Sequence, residues 1–315
     1  MTRKNTMKFK VSVPATSANV GPGFDVMGIA FDLYNRFSFE TIASGVRITG
    51  CPEAFRQPAS NLVCTTLARV LAKAGLPVPP LHLHIEGDLP VSGGLGSSSS
   101  CIVAGVMAAS ELGGLALSRE EILRQAALIE GHPDNVAPAL LGGFVVAVIE
   151  DEFVYWHRHK ISDRLTFYAM IPNHRVSTEE ARAILPAAYS RADCVYNMSR
   201  IPLLVEGLET GDRQLIRAGC KDRLHQGYRA RLIPDCNRIF EFIAAHDDAV
   251  TVYISGAGPT LMAILDHDDH SFPEAMDDFL AGLSLRWSIR KMAVNHGGAR
   301  LKKCELASLA ATTAC

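Results

Sequence analysis

The chain has 315 residues, 48% of them hydrophobic and 20% charged, and a formal net charge of −2 at neutral pH. That length and apolar content suffice for one large or two ordinary cores, and the absence of any dense Lys/Arg block excludes nucleic acid as the main partner. Eight cysteines without a CxxC pair exclude a disulfide framework and a cysteine zinc site, and predict a reducing, cytoplasmic setting.

The opening residues, MTRKNTMKFK, are basic but lead into no apolar core of signal-peptide type, so no export is expected. Phe9, Val11 and Val13 alternate with polar residues and predict a strand over Lys8 to Val13. Val26 to Glu40 continues the alternation. Asn61 to Ala74 puts Leu62, Val63, Thr66, Leu67, Val70 and Leu71 on one helical face, stopped by Gly75 and Pro77. Leu81 to Ile85 predicts a strand with His82 and His84 on one face, a pair with no further metal ligands nearby.

Cys101 to Leu112 suits a helix, and Ser118 to Glu121 is a capping box opening another that runs to Glu130. Phe144 to Ile149 is an apolar strand ending in the acidic run Glu150 to Glu152, where a domain boundary is expected near residue 150. The second half predicts strands at Leu165 to Ile171, Thr251 to Ser255, Leu261 to Leu265 and Ser288 to Val294. Helices are expected at Thr178 to Leu185, Pro202 to Leu208 and from Ser271 to about Leu283. Leu89 to Ser110 lacks charge over 22 residues, but its Gly and Ser content excludes a membrane span.

Between the strand and helix on either side, LPVSGGLGSSSS (Leu89 to Ser100) has the form of an anion-binding loop. Glycines let the backbone approach a ligand, the unpaired N–H groups of a helix start face phosphate, and a serine hydroxyl suits a hard cation. A GxxxxGK[ST] loop is excluded because no lysine lies between Lys73 and Lys160. A dinucleotide fingerprint is excluded because Ser99 stands where its third glycine belongs.

Three more segments are polar and rich in Gly or Pro within apolar surroundings: PATSANVGPGFDVMG (Pro14 to Gly28), EGHPDNVAP (Glu130 to Pro138) and SGAGPT (Ser255 to Thr260). In this order and at these separations, the four segments resemble the homoserine kinase family of the GHMP small-molecule kinase superfamily. The resemblance implies an α+β, two-domain fold, with an N-terminal nucleotide-binding domain over residues 1–150 and a C-terminal ferredoxin-like domain over residues 151–315. It also implies an ATP- and Mg²⁺-dependent transfer to the hydroxyl of L-homoserine in threonine biosynthesis, and suggests a homodimer. Gly93 departs from the family, which commonly has arginine before GLGSS.

By the same resemblance, the nucleotide phosphates would lie over Pro90, Val91, Ser92, Gly93, Gly94, Leu95, Gly96, Ser97, Ser98, Ser99 and Ser100, with Ser98 and Glu130 holding Mg²⁺. Homoserine is a zwitterion with a hydroxyl. Asp25, with Asn19 beside it, is the candidate for the ammonium, and Arg182, with Thr178 one turn earlier, is a candidate for the carboxylate. Arg229 is the second carboxylate candidate, with Arg231 as its alternative, because a guanidinium fork binds two oxygens together. His132 and Asn135 would hold the reacting end. Asp134 is the acidic residue where some superfamily members carry a base, although homoserine kinases are thought to lack a committed one. A sister kinase for mevalonate and a nucleotide-binding regulator without turnover are the rival readings. SGAGPT is expected to close the site from the second domain.

Overall fold

The computed structural model describes residues 7–246, 249–268 and 271–304. The first half of the chain runs β1 (Lys8–Ala18), β2 (Met27–Thr41), β3 (Val46–Thr49), α1 (Leu62–Lys73), β4 (Leu81–Gly87), α2 (Ser97–Gly113), α3 (Arg119–Glu130), α4 (Val136–Leu141), β5 (Phe144–Glu150) and β6 (Phe153–His159). The second half runs β7 (Thr166–Pro172), α5 (Thr178–Ala183), α6 (Arg191–Thr210), α7 (Arg213–Gly219), α8 (Gln226–Arg229), α9 (Cys236–Ala244), β8 (Ala249–Ile254), β9 (Leu261–Leu265), α10 (Ser271–Ala281), β10 (Trp287–Met292) and β11 (Arg300–Lys303).

Two sheets result. In the first, the order is β11-β1-β2-β4-β3, while β5 pairs with the start of β2 and carries β6 outside it. The second is antiparallel throughout, in the order β10-β7-β9-β8, with the strand and helix alternation of a ferredoxin-like domain. A cut at residue 150 falls inside the β5–β6 hairpin, whose second strand still belongs to the first sheet. The first sheet also takes back β11 from the far end of the chain. The apolar run of β5 ends at a hairpin turn, so the acidic residues 150–152 mark a change of strand and not the division between the sheets.

Helix starts follow local chemistry. Asn61 accepts from the Val63 and Cys64 N–H groups at the head of α1, and Ser118 accepts from Glu121 N at the head of α3. α2 begins at Ser97, four residues before the sequence expectation, so the four serines form its first turn. Serine is a modest helix former, but Ser99 and Ser100 are buried here and both hydroxyls are hydrogen-bonded. α6 extends well beyond the expected Pro202 to Leu208 and contains Pro202 in its interior.

Three apolar clusters hold these layers. One joins the first sheet to α1–α4, another joins the second sheet to α9 and α10, and the third lies between the two sheets. In the third, Phe31 of β2 meets Phe167 of β7 edge to face, with ring centroids 5.4 Å apart. Among the described residues no helix is long and apolar enough to cross a membrane.

Candidate active site

A cavity of about 530 Å³ opens between the halves, and the four glycine-rich or polar segments meet at it. At its phosphate-loop wall, Gly94 and Gly96 have φ of 80° and 72°. A Cβ at Gly94 would come within 2.5 Å of the Ser255 carbonyl, and one at Gly96 within 1.9 Å of Thr16 Oγ1, so both positions require glycine for close approach. The loop between β8 and β9 clamps this wall: Thr260 Oγ1 donates to Gly93 O at 2.5 Å and Ser255 Oγ to Gly94 O at 2.6 Å. The Ser255–Thr260 segment therefore reaches the site from the second sheet, as expected. At Gly93 a Cβ would lie 2.4 Å from Pro90 Cγ, so a side chain here would require Pro90 to move.

Beside the α2 start, Glu130 ends α3 and accepts from Ser99 Oγ at 2.7 Å. Burial is the main cause that pushes its carboxyl above the ordinary range, against the Ser99 hydrogen bond and the His132 charge. A half-buried carboxylate with so little compensation, bordered by serine hydroxyls, suits a hard cation. Ser98 lines the cavity and is exposed, whereas the hydroxyl that touches Glu130 belongs to Ser99. The loop spacing alone does not tell these serines apart, because a helix start at Cys101 leaves all four in the loop, whereas α2 begins at Ser97.

The segment after Glu130 forms a tight network. His132 Nδ1 lies 2.6 Å from Asp134 Oδ1, and Asn135 Oδ1 accepts from Thr16 Oγ1 at 2.7 Å. Burial pulls the His132 imidazole down, but the hydrogen bond and charge of Asp134, with Glu130 and Asp25, outweigh it and hold its pKa above the usual value. Asp25, His132 and Asp134 also present ligand atoms within 4.8 Å of one another.

Next to this network, Arg182 forms a two-pronged pair with Asp25, at 3.0 and 2.8 Å. Asn19 braces Asp25: its Oδ1 accepts from Asp25 N, and its Nδ2 donates to Gly256 O at 2.9 Å. Asn19 and Asp25 both have positive φ, 68° and 59°, so this loop is held in a conformation few residues adopt readily. Thr178 lies one turn before Arg182 on α5 and also lines the cavity.

Arg229 is buried, lines the same cavity, and donates to the carbonyls of Ala181 and Gly256. Burial, with Arg182 nearby, lowers its pKa to about 10. A buried guanidinium bound to carbonyls, with an open face on a cavity, invites an anion. Arg231 is exposed and its guanidinium lies over the Tyr228 ring, which favours Arg229 of the two.

Three supporting residues were not singled out from the sequence. The Phe24 ring has the Arg182 and Arg229 guanidinium carbons 5.5 and 5.0 Å from its centre. His225, fully buried, donates from Nε2 to Gly21 O at 2.7 Å and turns Nδ1 toward Arg229 at 3.5 Å. Asp222 accepts from the His225 and Gln226 N–H groups and so fixes the start of α8, which carries Arg229. Phe24 adjoins Asp25 in a polar motif and could have been noticed there; Asp222 and His225 carry no local sequence signal.

This fold and cavity are those of a GHMP kinase. Residues 61–143 match the sequence model of the GHMP kinases N terminal domain, and residues 204–277 match GHMP kinases C terminal. The chain is 44% identical over 292 residues to a homoserine kinase of Clostridium beijerinckii, covering 92% of this chain and 97% of that one. A homoserine kinase of Clostridium botulinum is 39% identical, covering 94% and 99%. The crystal structure of homoserine kinase from Cytophaga hutchinsonii superposes with a TM-score of 0.83 at 28% identity, covering 96% and 99%. The chain belongs to the homoserine kinase family.

Proposed function

We propose that this chain transfers the γ-phosphoryl group of ATP to the side-chain hydroxyl of L-homoserine, giving O-phospho-L-homoserine for threonine biosynthesis in the cytoplasm. The free thiols of the described cysteines fit that compartment. The observation that carries the substrate reading is that Asp25, Arg182 and Arg229 line the same cavity as the phosphate loop at the α2 start, with Asp25 and Arg182 in direct contact. An anion and two cations there match the ammonium and carboxylate of an amino acid, and leave its hydroxyl toward the phosphate loop.

On this reading, the nucleotide phosphates lie against residues 90–100, where backbone N–H groups and serine hydroxyls meet them. Glu130, with Ser98 and Ser99 beside it, would hold Mg²⁺, which supplies neutralisation of phosphate charge. His132 and Asn135 orient the reacting hydroxyl, and Asp134 holds His132 in place. Asp134 is already engaged by His132 and Asn135, which supports a bracing role over that of a free base. Phosphoryl transfer through a loose transition state needs mainly alignment and charge neutralisation, so a committed base is dispensable.

The test is Mg²⁺-dependent ADP release with ATP and, separately, L-homoserine, L-serine, L-threonine and mevalonate. Selective turnover of L-homoserine is expected. Turnover of mevalonate alone would move the assignment to a sister kinase, and nucleotide binding without turnover would restore the regulator reading.

A further inference from the structure

Phe24 touches two side chains of like charge. The Arg182 and Arg229 guanidinium carbons lie 5.5 and 5.0 Å from the centre of its ring. Both fall within reach of a cation–π contact, in which the electron-rich face of the ring attracts a positive charge. The two charges also feel each other: after burial, Arg182 is the next cause that lowers the Arg229 pKa. Two cations turned toward one cavity need a group that keeps them from swinging apart.

The ring is itself held in place. It sits in a turn where Gly23 N donates to Asn19 O, and the Val26 and Met27 N–H groups both donate to Gly23 O at 3.0 Å. Asp25, next in the chain, has φ of 59° and sends its carboxylate to Arg182. Against the ring lies the His225 imidazole, 5.4 Å away at a tilt of 34° and pinned by its Nε2 bond to Gly21 O. Burial holds that imidazole below its usual pKa, so it meets Phe24 as a neutral aromatic and leaves the arginines as the cations at the ring.

Arg229 has fixed partners besides the ring, since it donates to the carbonyls of Ala181 and Gly256. Arg182 is paired with Asp25, and an arriving ammonium competes for that same carboxylate. The ring contact is the one that outlasts this exchange. We propose that Phe24 is a positioning residue for the substrate carboxylate, its ring keeping the Arg182 and Arg229 guanidiniums convergent when Asp25 turns to the ammonium. This role rests on the homoserine reading above. Asp25, Arg182 and Arg229 line the cavity whereas Phe24 does not, so the ring acts through the arginines and not on the substrate.

Steady-state kinetics on the full chain, with L-homoserine and ATP varied in turn, test this. Phe24→Leu keeps apolar bulk and removes the π face; KM for homoserine should rise ~10-fold while KM for ATP stays within about twofold. The sharper probe is a series of increasingly fluorinated phenylalanines in place of Phe24, which drain the negative face of the ring with little change in its shape. KM for homoserine should climb with each added fluorine, and the melting temperature should not follow it. If Phe24→Leu does not fold, the fluorinated series decides alone. A wild type active on homoserine whose KM stays flat through the series overturns the role of Phe24 and spares the substrate reading. Equal rises in KM for homoserine and ATP overturn it as well. A wild type that phosphorylates another alcohol and leaves homoserine untouched removes the substrate reading, and this role with it.

Discussion

Glu130 is the residue whose ionisation speaks most directly to the site. Its folded pKa is raised from 4.5, so the folded protein holds its proton more tightly than the unfolded chain does, and this group's effect on stability turns unfavourable as pH climbs from 4.5 through the raised value. Glu130→Gln removes that penalty, and without nucleotide the variant should melt no lower than wild type at neutral pH. A cation can bind only when the carboxylate is free of its proton. Mg²⁺ dependence of ADP release should therefore strengthen with rising pH in wild type and lose that slope in Glu130→Gln, along with at least ~10-fold of turnover. A variant of full activity and unchanged Mg²⁺ dependence would remove Glu130 from the cation site. Asp134→Asn separates a brace from a base: a modest loss, on the order of 10-fold, is expected, whereas a loss on the order of 10³ would indicate proton abstraction. Asp25 offers a third contrast. It is paired with Arg182, and an incoming zwitterion would exchange that pair for two new ones, ammonium on Asp25 and carboxylate on Arg182. Asp25→Asn should raise KM for homoserine by ~10-fold or more while leaving KM for ATP nearly unchanged. Equal rises in both would mean a general loosening of the cleft.

Among elements, the α2 start and the loop clamped on it carry the sharpest steric requirement. Gly94→Ala places a methyl against two carbonyls of the β8–β9 loop and also strains a φ of 80°, so it should cost about 1–3 kcal/mol and raise KM for ATP. Gly114→Ala, at the far end of α2, meets nothing within 4 Å; only its φ of 61° resists, and thermal melting should register about 1 kcal/mol with KM intact. If both variants shift KM equally, the clamp is not what shapes the phosphate wall. The sequence made elements legible where one face is buried and a cap marks the end, as in α1 and α3. It was silent where those signals are absent. β6 is exposed along most of its length and so lacks alternation, and α6 presents few buried residues over its 20, with a proline that reads like a helix start. α9 carries a legible helical face in Cys236, Ile239 and Ile243, a helix beyond those expected from the sequence. The site segments stood out because glycines, prolines and polar residues interrupt apolar surroundings. The strut from Asp222 through His225 to Arg229 did not, since its residues are functional only through long-range burial.

At the scale of the whole molecule, the walls of the cleft belong to different sheets but share one core. Phe31, Ile29 and Met27 from β2 pack with Phe167, Met262 and Ile264 from the second sheet, and β11 carries the chain back into the first. A continuous apolar seam of this kind couples the halves, so they should unfold in one transition although each has its own sheet. Phe167→Ala removes a ring buried from both sides and should cost about 3–5 kcal/mol, lowering one melting transition without splitting it. The cleft should also suffer, because Arg182 and Arg229 ride on the second half while the phosphate loop belongs to the first. Loosening the seam changes the spacing between nucleotide and acceptor, and kcat should fall further than KM rises. Two separate transitions in calorimetry, or a variant that melts early yet retains its kcat at a temperature where it is folded, would show that the cleft is aligned by its loops and not by the core beneath it.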